Sequence, residues 1–202
     1  MSRAHSFVVA SVALAALVLS ACGIQADDGP REITQDQQPD DPDAEVPSDG
    51  PTLLADLYFA RFDGSRDNLV TIEREVPTGS SSSTPAPGPV LESLLAGVPD
   101  DEEAGDIVTK IPADTRLDGQ PVLDAAGVLT VYLTSAISDV QGDGARLAYG
   151  QMVCTADALD QVEGVLFVVD DQPVQAPTGA GETSSAPLTC DSYDNLLENP
   201  SN

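Results

Sequence analysis

The chain has 202 residues, and its 34 acidic side chains against 8 basic ones give a formal net charge of −26 at pH 7. This balance excludes a nucleic-acid-binding protein, because binding to phosphates needs clustered Lys and Arg side chains. The single histidine, His5, lies in a segment that we expect to be removed. Histidine-based acid–base catalysis and histidine-ligated metal sites are therefore excluded for the mature protein.

Residues 1–21 have the pattern of a lipoprotein signal peptide. An apolar run from Phe7 to Leu19 follows Arg3, and at about 20 Å of helix it is too short for a hydrocarbon core of about 30 Å. The run ends in Leu19-Ser20-Ala21-Cys22, which resembles the lipobox of bacterial lipoproteins. The resemblance implies that Cys22 is acylated, for example with palmitate, and anchors the chain on the extracytoplasmic face of the cell membrane. An ordinary cleavage site before an unmodified cysteine is the alternative.

Residues 22–50 comprise the lipidated Cys22 and an acidic linker rich in Asp, Gln and Pro. The linker contains only three large apolar side chains, those of Ile24, Ile33 and Val46. Such a segment cannot bury enough apolar surface to offset the entropy lost on ordering, so we expect a disordered tether. Its negative charge should keep it away from an anionic bilayer surface. A spacer without a recognition role is the simplest interpretation.

Beyond Pro51, short apolar runs separated by turn residues predict a folded domain. Residues 53–62 and 69–76 predict two strands, joined by a turn at Asp63-Gly64. Apolar and polar residues alternate along the second run, which is typical of a half-buried strand. The buried face would carry Val70, Ile72, Arg74 and Val76, and the exposed face Thr71, Glu73 and Glu75.

The rest of the domain predicts two helices and three further strands. A low-complexity loop over residues 78–89 ends in Pro89, which suits the first turn of a helix over residues 90–96 before Gly97. Strands are predicted at residues 121–123, 128–137 and 165–169. The second helix, over residues 145–159, would present one stripe made of Leu147, Gly150 or Gln151, Cys154 and Ala158. This ββαββαβ order predicts an α+β fold in which two helices cover one face of a single small sheet of antiparallel strands.

Six short strings in this order resemble the GerMN domain, the sporulation and spore germination domain, which is also found in actinobacterial lipoproteins. They are residues 57–59, 94–97, 111–115, 128–133, 151–155 and 168–174, within a stretch from Leu53 to Val174. The resemblance implies a fold related to ring-building motifs and a role in assembling or supporting envelope complexes. No catalytic residue is recognised for the family. We therefore expect a GerMN domain over residues 51–177 and a C-terminal tail over residues 178–202.

Two cysteines remain besides Cys22. Cys154 lies on the predicted second helix, and Cys190 lies in the tail. Because exported chains fold in oxidising surroundings, we expect a disulfide that ties the tail to the helix. It would stabilise the fold by about 3–4 kcal/mol in the chain-entropy model. Two free thiols are the alternative.

The mature chain offers few groups for catalysis or metal binding. It has no Trp, no His and one lysine, Lys110, so Ser/His/Asp and Cys/His sites are excluded. Asp170 with Asp171, or the acidic residues 100–103, could form a glycosidase-type carboxylate pair, but turn carboxylates are ordinarily solvated. Asp139 and Asp143 resemble part of a calcium loop, yet the twelfth position from Asp139 is a glycine rather than glutamate. We predict a protein that is not an enzyme and needs no metal or cofactor.

The sequence therefore predicts a lipid-anchored, extracytoplasmic GerMN-domain protein that binds envelope proteins or copies of itself. The alternative is a lipoprotein that binds cell-wall glycan or a small ligand. The two functions differ in the surface they need. A protein-binding surface should be flat and partly apolar, whereas a ligand site should be concave with a few convergent polar groups.

Overall fold

Two long strands form the hairpin that opens the folded domain. The computed structural model describes residues 51–78, 84–99 and 106–198. Strands β1 (Thr52–Phe62) and β2 (Asp67–Pro77) pair antiparallel along their whole length. The predicted alternation of β2 is confirmed, because its side chains are buried or half-buried at positions 70, 72, 74 and 76 and exposed at positions 71, 73 and 75.

The turn of this hairpin is held by one carboxylate. Asp63 accepts hydrogen bonds from the backbone N–H groups of Ser65 at 2.8 Å and Arg66 at 3.0 Å. It also accepts from the Ser65 hydroxyl and from the side-chain amide of Asn68, both at 2.7 Å. These bonds favour the ionised form and hold the pKa of Asp63 well below its usual range. The turn is thus stabilised by an ionised aspartate that is fully exposed to solvent.

The remaining strands are short. One of them extends the sheet of the first hairpin, and the others form two further sheets. β3 (Ile107–Val108) pairs with β1, which gives a three-stranded sheet in the order β2-β1-β3. A second sheet has the order β4-β5-β6-β7. Its strands are β4 (Val122–Leu123), β5 (Val128–Leu133), β6 (Gly164–Val169) and β7 (Gln172–Val174). A small hairpin follows, made of β8 (Ala176–Pro177) and β9 (Thr183–Ser184).

The α+β class is confirmed, but the predicted single sheet of antiparallel strands is wrong. β5 and β6 pair in parallel, so the chain between them must cross over, and a helix makes this connection. The first hairpin pairs with β3 and has no partner strand in the second sheet. The predicted strand over residues 128–137 is also too long, because residues Ser135–Asp139 form a 3₁₀ turn that buries Ile137.

In the part of the chain that the structure describes, two α-helices lie against these sheets, α1 (Pro87–Leu95) and α2 (Gly142–Asp157). Every residue of α2 from Leu147 to Ala156 is buried, because the helix packs against β1, β2, α1 and β6. The single-stripe prediction for this helix is therefore wrong, and Ala158 of that stripe is exposed. Within the described residues, no helix is both long enough and apolar enough to cross a membrane.

The residues after β7 are packed into the domain. Val165 and Leu188 exchange two backbone hydrogen bonds, at 2.8 and 3.0 Å. A 3₁₀ segment, Cys190–Leu196, follows, and its Tyr193 is fully buried with its hydroxyl donating to the Pro177 carbonyl at 2.7 Å. Gly150 on α2 makes room for this ring, since a Cβ there would lie 2.9 Å from Tyr193 Cδ1. The C-terminal segment up to residue 198 thus completes the hydrophobic core.

Candidate functional site

Four of the carboxylates that the sequence singles out lie in the described residues, those of Asp139, Asp143, Asp170 and Asp171. Asp170 and Asp171 are exposed in the turn between β6 and β7, with φ angles of 48° and 60°. Asp139 is also exposed, and Asp143 forms an ion pair with Arg146 on its own helix. Among the residues that the structure describes, no group of three or more His, Cys, Asp or Glu side chains could hold a metal ion. Cys22, the linker and the acidic residues 100–103 lie outside the described residues.

The two remaining cysteines form the disulfide that the sequence predicts. Cys154 on α2 is bonded to Cys190, with Cα atoms 4.5 Å apart. Cys154 is buried, and the backbone N–H of Cys190 donates to the Asp157 carboxylate at 3.2 Å. Burial raises the pKa of Asp157, with smaller contributions from the nearby charges of Asp191 and Glu163, and the hydrogen bond from Cys190 opposes this rise. The disulfide therefore fixes the C-terminal segment to the end of the buried helix.

A groove beside α1 is the candidate binding surface of the domain. It has a volume of about 670 Å³ and is lined by Glu92, Leu95, Ala96, Gly97, Val98, Thr109, Ile111, Ala113, Arg116 and Leu117. α1 begins with prolines in its first turn, and it buries Val90, Leu91 and Leu94 on the side facing the core. Its opposite side and the turn after it form one wall of the groove. Residues 109–117 form the other wall.

The first wall is fixed by the turn that ends α1. Gly97 has a φ of 87°, a left-handed conformation that glycine adopts without strain. Its carbonyl accepts a hydrogen bond from Arg74 Nη1 at 2.9 Å. The guanidinium of Arg74 also lies 4.6 Å from the centroid of the Phe59 ring, within the range of a cation–π contact. The end of α1 is thereby attached to the β1–β2 hairpin.

The second wall is fixed by hydrogen bonds from α2 and β5. The N–H of Lys110 donates to Gln151 Oε1 at 2.8 Å, and Gln151 is completely buried. Farther along, the N–H of Thr134 donates to the Arg116 carbonyl at 3.0 Å, and that of Asp118 donates to the Tyr132 carbonyl at 2.8 Å. Residues 109–118 have little regular secondary structure, yet both of their ends are held in place.

The groove is lined by one acidic and one basic side chain, and neither has an ion-pair partner among the described residues. Glu92 and Arg116 are both exposed. Arg116 donates through Nη1 to the carbonyls of Ala113 and Thr115, which leaves the rest of its guanidinium for a ligand. The groove is also lined by the half-buried apolar side chains of Leu95, Val98 and Leu117 and by the buried Ile111. Such a groove can bind an apolar side chain flanked by charges, but it contains no nucleophile and base in hydrogen-bond contact.

No periodic pattern in the sequence marks residues 109–117, so the sequence alone does not predict this groove. One signal was present. Two of the strings that carry the family resemblance, residues 94–97 and 111–115, lie in opposite walls, and a third, residues 151–155, contains Gln151. The resemblance therefore marked the parts of the groove before the structure showed that they meet.

Comparisons with solved structures agree with this fold. The tandem GerMN domains of the sporulation protein GerM from Bacillus subtilis match with 15% identity and a TM-score of 0.54, over 74% of this chain and 49% of that one. The chain thus spans about half the length of that structure. The first GerMN domain of the same protein matches with 16% identity and a TM-score of 0.51, over 68% of this chain and 98% of that one.

A third structure is that of a Clostridium perfringens protein described as a candidate lipoprotein. It matches with 18% identity and a TM-score of 0.46, over 72% of this chain and 93% of that one. No curated protein matches the chain. The family model described as "Germane: Sporulation and spore germination" matches residues 56–175, which is more than half of the chain. The chain therefore belongs to this family of GerMN domains, for which no catalytic role is known.

Proposed function

We propose that this chain is a non-enzymatic, lipid-anchored module that binds other proteins of the cell envelope on the extracytoplasmic face of the membrane. In this proposal Cys22 carries the lipid, and the groove beside α1 is the protein-binding surface. The actinobacterial type stays a prediction from the sequence.

The groove is the observation that carries the proposal. Its lining includes the half-buried apolar side chains of Leu95, Val98 and Leu117. Its charged residues Glu92 and Arg116, which have no ion-pair partner among the described residues, can orient a partner. Both walls are attached to the rigid core, through Arg74 to Gly97 and through Gln151 to Lys110. A preorganised surface loses little conformational entropy on binding, which favours recognition of a protein segment.

The alternative function, binding of cell-wall glycan or a small ligand, also has one observation in its favour. The groove is concave, and its volume of about 670 Å³ falls in the usual range of ligand pockets. Its lining residues include no aromatic side chain, however, whereas small-molecule sites are commonly lined by aromatic as well as aliphatic residues. We therefore favour a protein partner.

Site-specific photo-crosslinking in the native envelope tests the proposal. A photoreactive residue would replace Ala96 on one wall or Ala113 on the other, since both alanines are exposed and line the groove. Ala125, exposed in the turn between β4 and β5, is the matched control position. We expect positions 96 and 113 to capture the same protein, identified by mass spectrometry, and Arg116→Glu to reduce that capture.

Other outcomes would reject specific parts of the proposal. Capture of glycan or a small molecule alone would establish the alternative function. Equal capture from position 125 would show that the groove is not the binding surface. If the chain with Cys22 intact is found in the soluble fraction of the cell envelope rather than in the membrane fraction, the proposed lipid anchor is wrong.

A further inference from the structure

One edge of β1 has no partner strand near its N-terminal end. In an antiparallel pair, the backbone groups of successive residues face alternate edges of the strand. Ala60 pairs with Val108 of β3 on the edge that faces away from β2. Leu54 and Asp56 therefore direct their N–H and C=O groups to this same edge, where no strand of the described residues pairs with them. We call residues 54–56 on this side the free edge of β1.

The domain satisfies the neighbouring position of the same edge with side chains. The N–H of Tyr58 donates to Thr155 Oγ1 at 2.8 Å, and its carbonyl accepts from Gln151 Nε2 at 3.2 Å. Within the described residues, no such contact reaches the outward backbone groups of Leu54 or Asp56. Unpaired backbone groups at a sheet edge form hydrogen bonds with an added strand, which is a common way of binding an extended peptide. The free edge of β1 therefore has room for one more strand.

The side chains at this edge are apolar and acidic. Leu54 is the most exposed large apolar side chain in the described part of the chain, at 57%. Asp56 lies directly opposite Glu73 in the β1–β2 pair, and both carboxylates are exposed. Like charges directly opposite each other destabilise an antiparallel pair, and the ion pairs of the described residues include neither carboxylate. A basic side chain beside Asp56 would offset this repulsion.

A small cavity lies beside the free edge of β1. It has a volume of about 180 Å³, and its lining includes Leu54, Asp56 and Glu73 from the hairpin and Pro85, Leu159 and Asp160 from elsewhere in the domain. This volume is below the usual range of small-molecule pockets, about 300–1,000 Å³. Three of the lining residues are acidic, and none is basic. The cavity thus favours a single basic side chain over a small-molecule ligand.

We propose that the free edge of β1 binds an extended segment of a partner protein in which basic and apolar residues alternate on one face. The segment adds as a strand, with backbone hydrogen bonds to Leu54 and Asp56. A basic residue lies beside Asp56. An apolar residue two positions away lies beside Leu54, because residues i and i+2 of a strand share one face.

The charge of the chain favours this occupant over a second copy of the chain. With 34 acidic and 8 basic side chains, the chain attracts a basic segment at long range and repels another copy of itself. The free edge of β1 shares no lining residue with the groove beside α1. The inference therefore does not depend on the function proposed for that groove.

Amide hydrogen exchange measured by NMR tests the proposal on the full-length mature chain in a zwitterionic detergent. The probe is a synthetic peptide with lysine and valine in turn at every second position and threonine between them. A matched peptide has glutamate in place of lysine. We expect the lysine peptide to slow exchange of the Leu54 and Asp56 amides several-fold. The Ala55 and Leu57 amides, which face β2, should be protected without any peptide, and the glutamate peptide should change nothing.

A charge reversal then tests the acidic part of the surface. Asp56→Lys should weaken binding of the lysine peptide by about three- to tenfold. It should not harm the fold, because it places opposite charges at the paired positions 56 and 73. Asp139→Lys, at an exposed position in another segment, makes the same change in net charge and should weaken binding little.

Four outcomes would overturn the proposal. They are equal effects of the two variants, equal binding of the two peptides, slower exchange only outside residues 52–58, and slower exchange at Leu54 and Asp56 in concentrated protein without peptide. The last outcome would identify a second copy of the chain as the occupant of the free edge of β1.

Discussion

The side-chain oxygen Oε1 of Gln151 accepts a hydrogen bond from the backbone N–H of Lys110 at 2.8 Å. The Gln151 side chain lies at the point where the pairing of β1 with β3 would otherwise continue. β1 and β3 pair Ala60 with Val108, so Tyr58 would face Lys110 two residues farther on. There Gln151 Nε2 donates to the Tyr58 carbonyl at 3.2 Å. One buried side chain on α2 thus satisfies both strand edges and fixes the second wall of the groove.

We predict that Gln151→Leu will destabilise the fold strongly. The variant leaves the half-buried Lys110 N–H and Tyr58 carbonyl without their partner, at a cost of up to about 1–3 kcal/mol for each group. Chemical denaturation measures this loss. Gln120→Leu, at an exposed position, is the matched control and should change the free energy of unfolding little. Equal effects of the two substitutions would contradict the assigned role.

Gly150→Ala should destabilise the protein although alanine is the better helix former. A Cβ at this position would lie 2.9 Å from Leu69 Cδ1 and 2.9 Å from Tyr193 Cδ1. The gain in helix propensity is about 1 kcal/mol, whereas overpacking a core typically costs about 1–3 kcal/mol. In a Tyr193→Leu background the cost of the same substitution should fall, as a double-mutant cycle would show. An unchanged cost would mean that the Tyr193 ring is not the obstacle.

Replacing both cysteines of the disulfide should lower stability by about 3–4 kcal/mol, because the bond closes a loop in the unfolded chain. The sequence separation of the pair is 36 residues. The Cys154→Ser/Cys190→Ser variant would be compared with the parent by denaturation, with and without a thiol reductant. We expect the reductant to destabilise the parent and to leave the variant unchanged. If the reductant does not change the denaturation curve of the parent protein, the disulfide does not stabilise the fold.

Stability should decrease in acid partly because of Asp63. The pKa of this carboxyl is lowered in the folded protein from 3.8, chiefly by hydrogen bonds from Arg66 and Ser65. The unfolded chain therefore binds the proton more readily, so the stabilisation is complete above about pH 4 and is lost as the pH falls below that value. Asp63→Asn should flatten the acidic limb of the stability profile, whereas Asp171→Asn, an exposed turn control, should not. Identical limbs for both variants would exclude this contribution.

The sequence predicted those parts of the fold that local patterns determine. The alternation in β2, the proline at the start of α1 and the Asp63-Gly64 turn each act over a few residues, and each is present. The direction of β6 relative to β5 depends on the path of the chain through α2, which no local pattern reports. The burial of α2 on all its sides depends in part on Tyr193, which packs against Gly150. Tyr193 lies far along the chain and outside any periodic segment.

The groove was harder to predict for the same reason. Ile111 and Arg116 lie in a segment without regular secondary structure, and their positions depend on Gln151 and on β5. The sequence could identify Cys154 and Cys190 as a pair because only two cysteines remained after Cys22. It could not show that Glu92 and Arg116 face the same groove.

The attachment of the C-terminal segment to α2 bears on how the folded domain withstands proteolysis. A single cut in the exposed turn at residues 180–182 of the β8–β9 hairpin would leave the two fragments joined by the Cys154–Cys190 bond. The paired backbones of Val165 and Leu188 and the buried Tyr193 ring would still hold the second fragment in place. A nicked molecule should therefore keep its core closed, migrate as one species in a non-reducing gel and separate into two only after reduction.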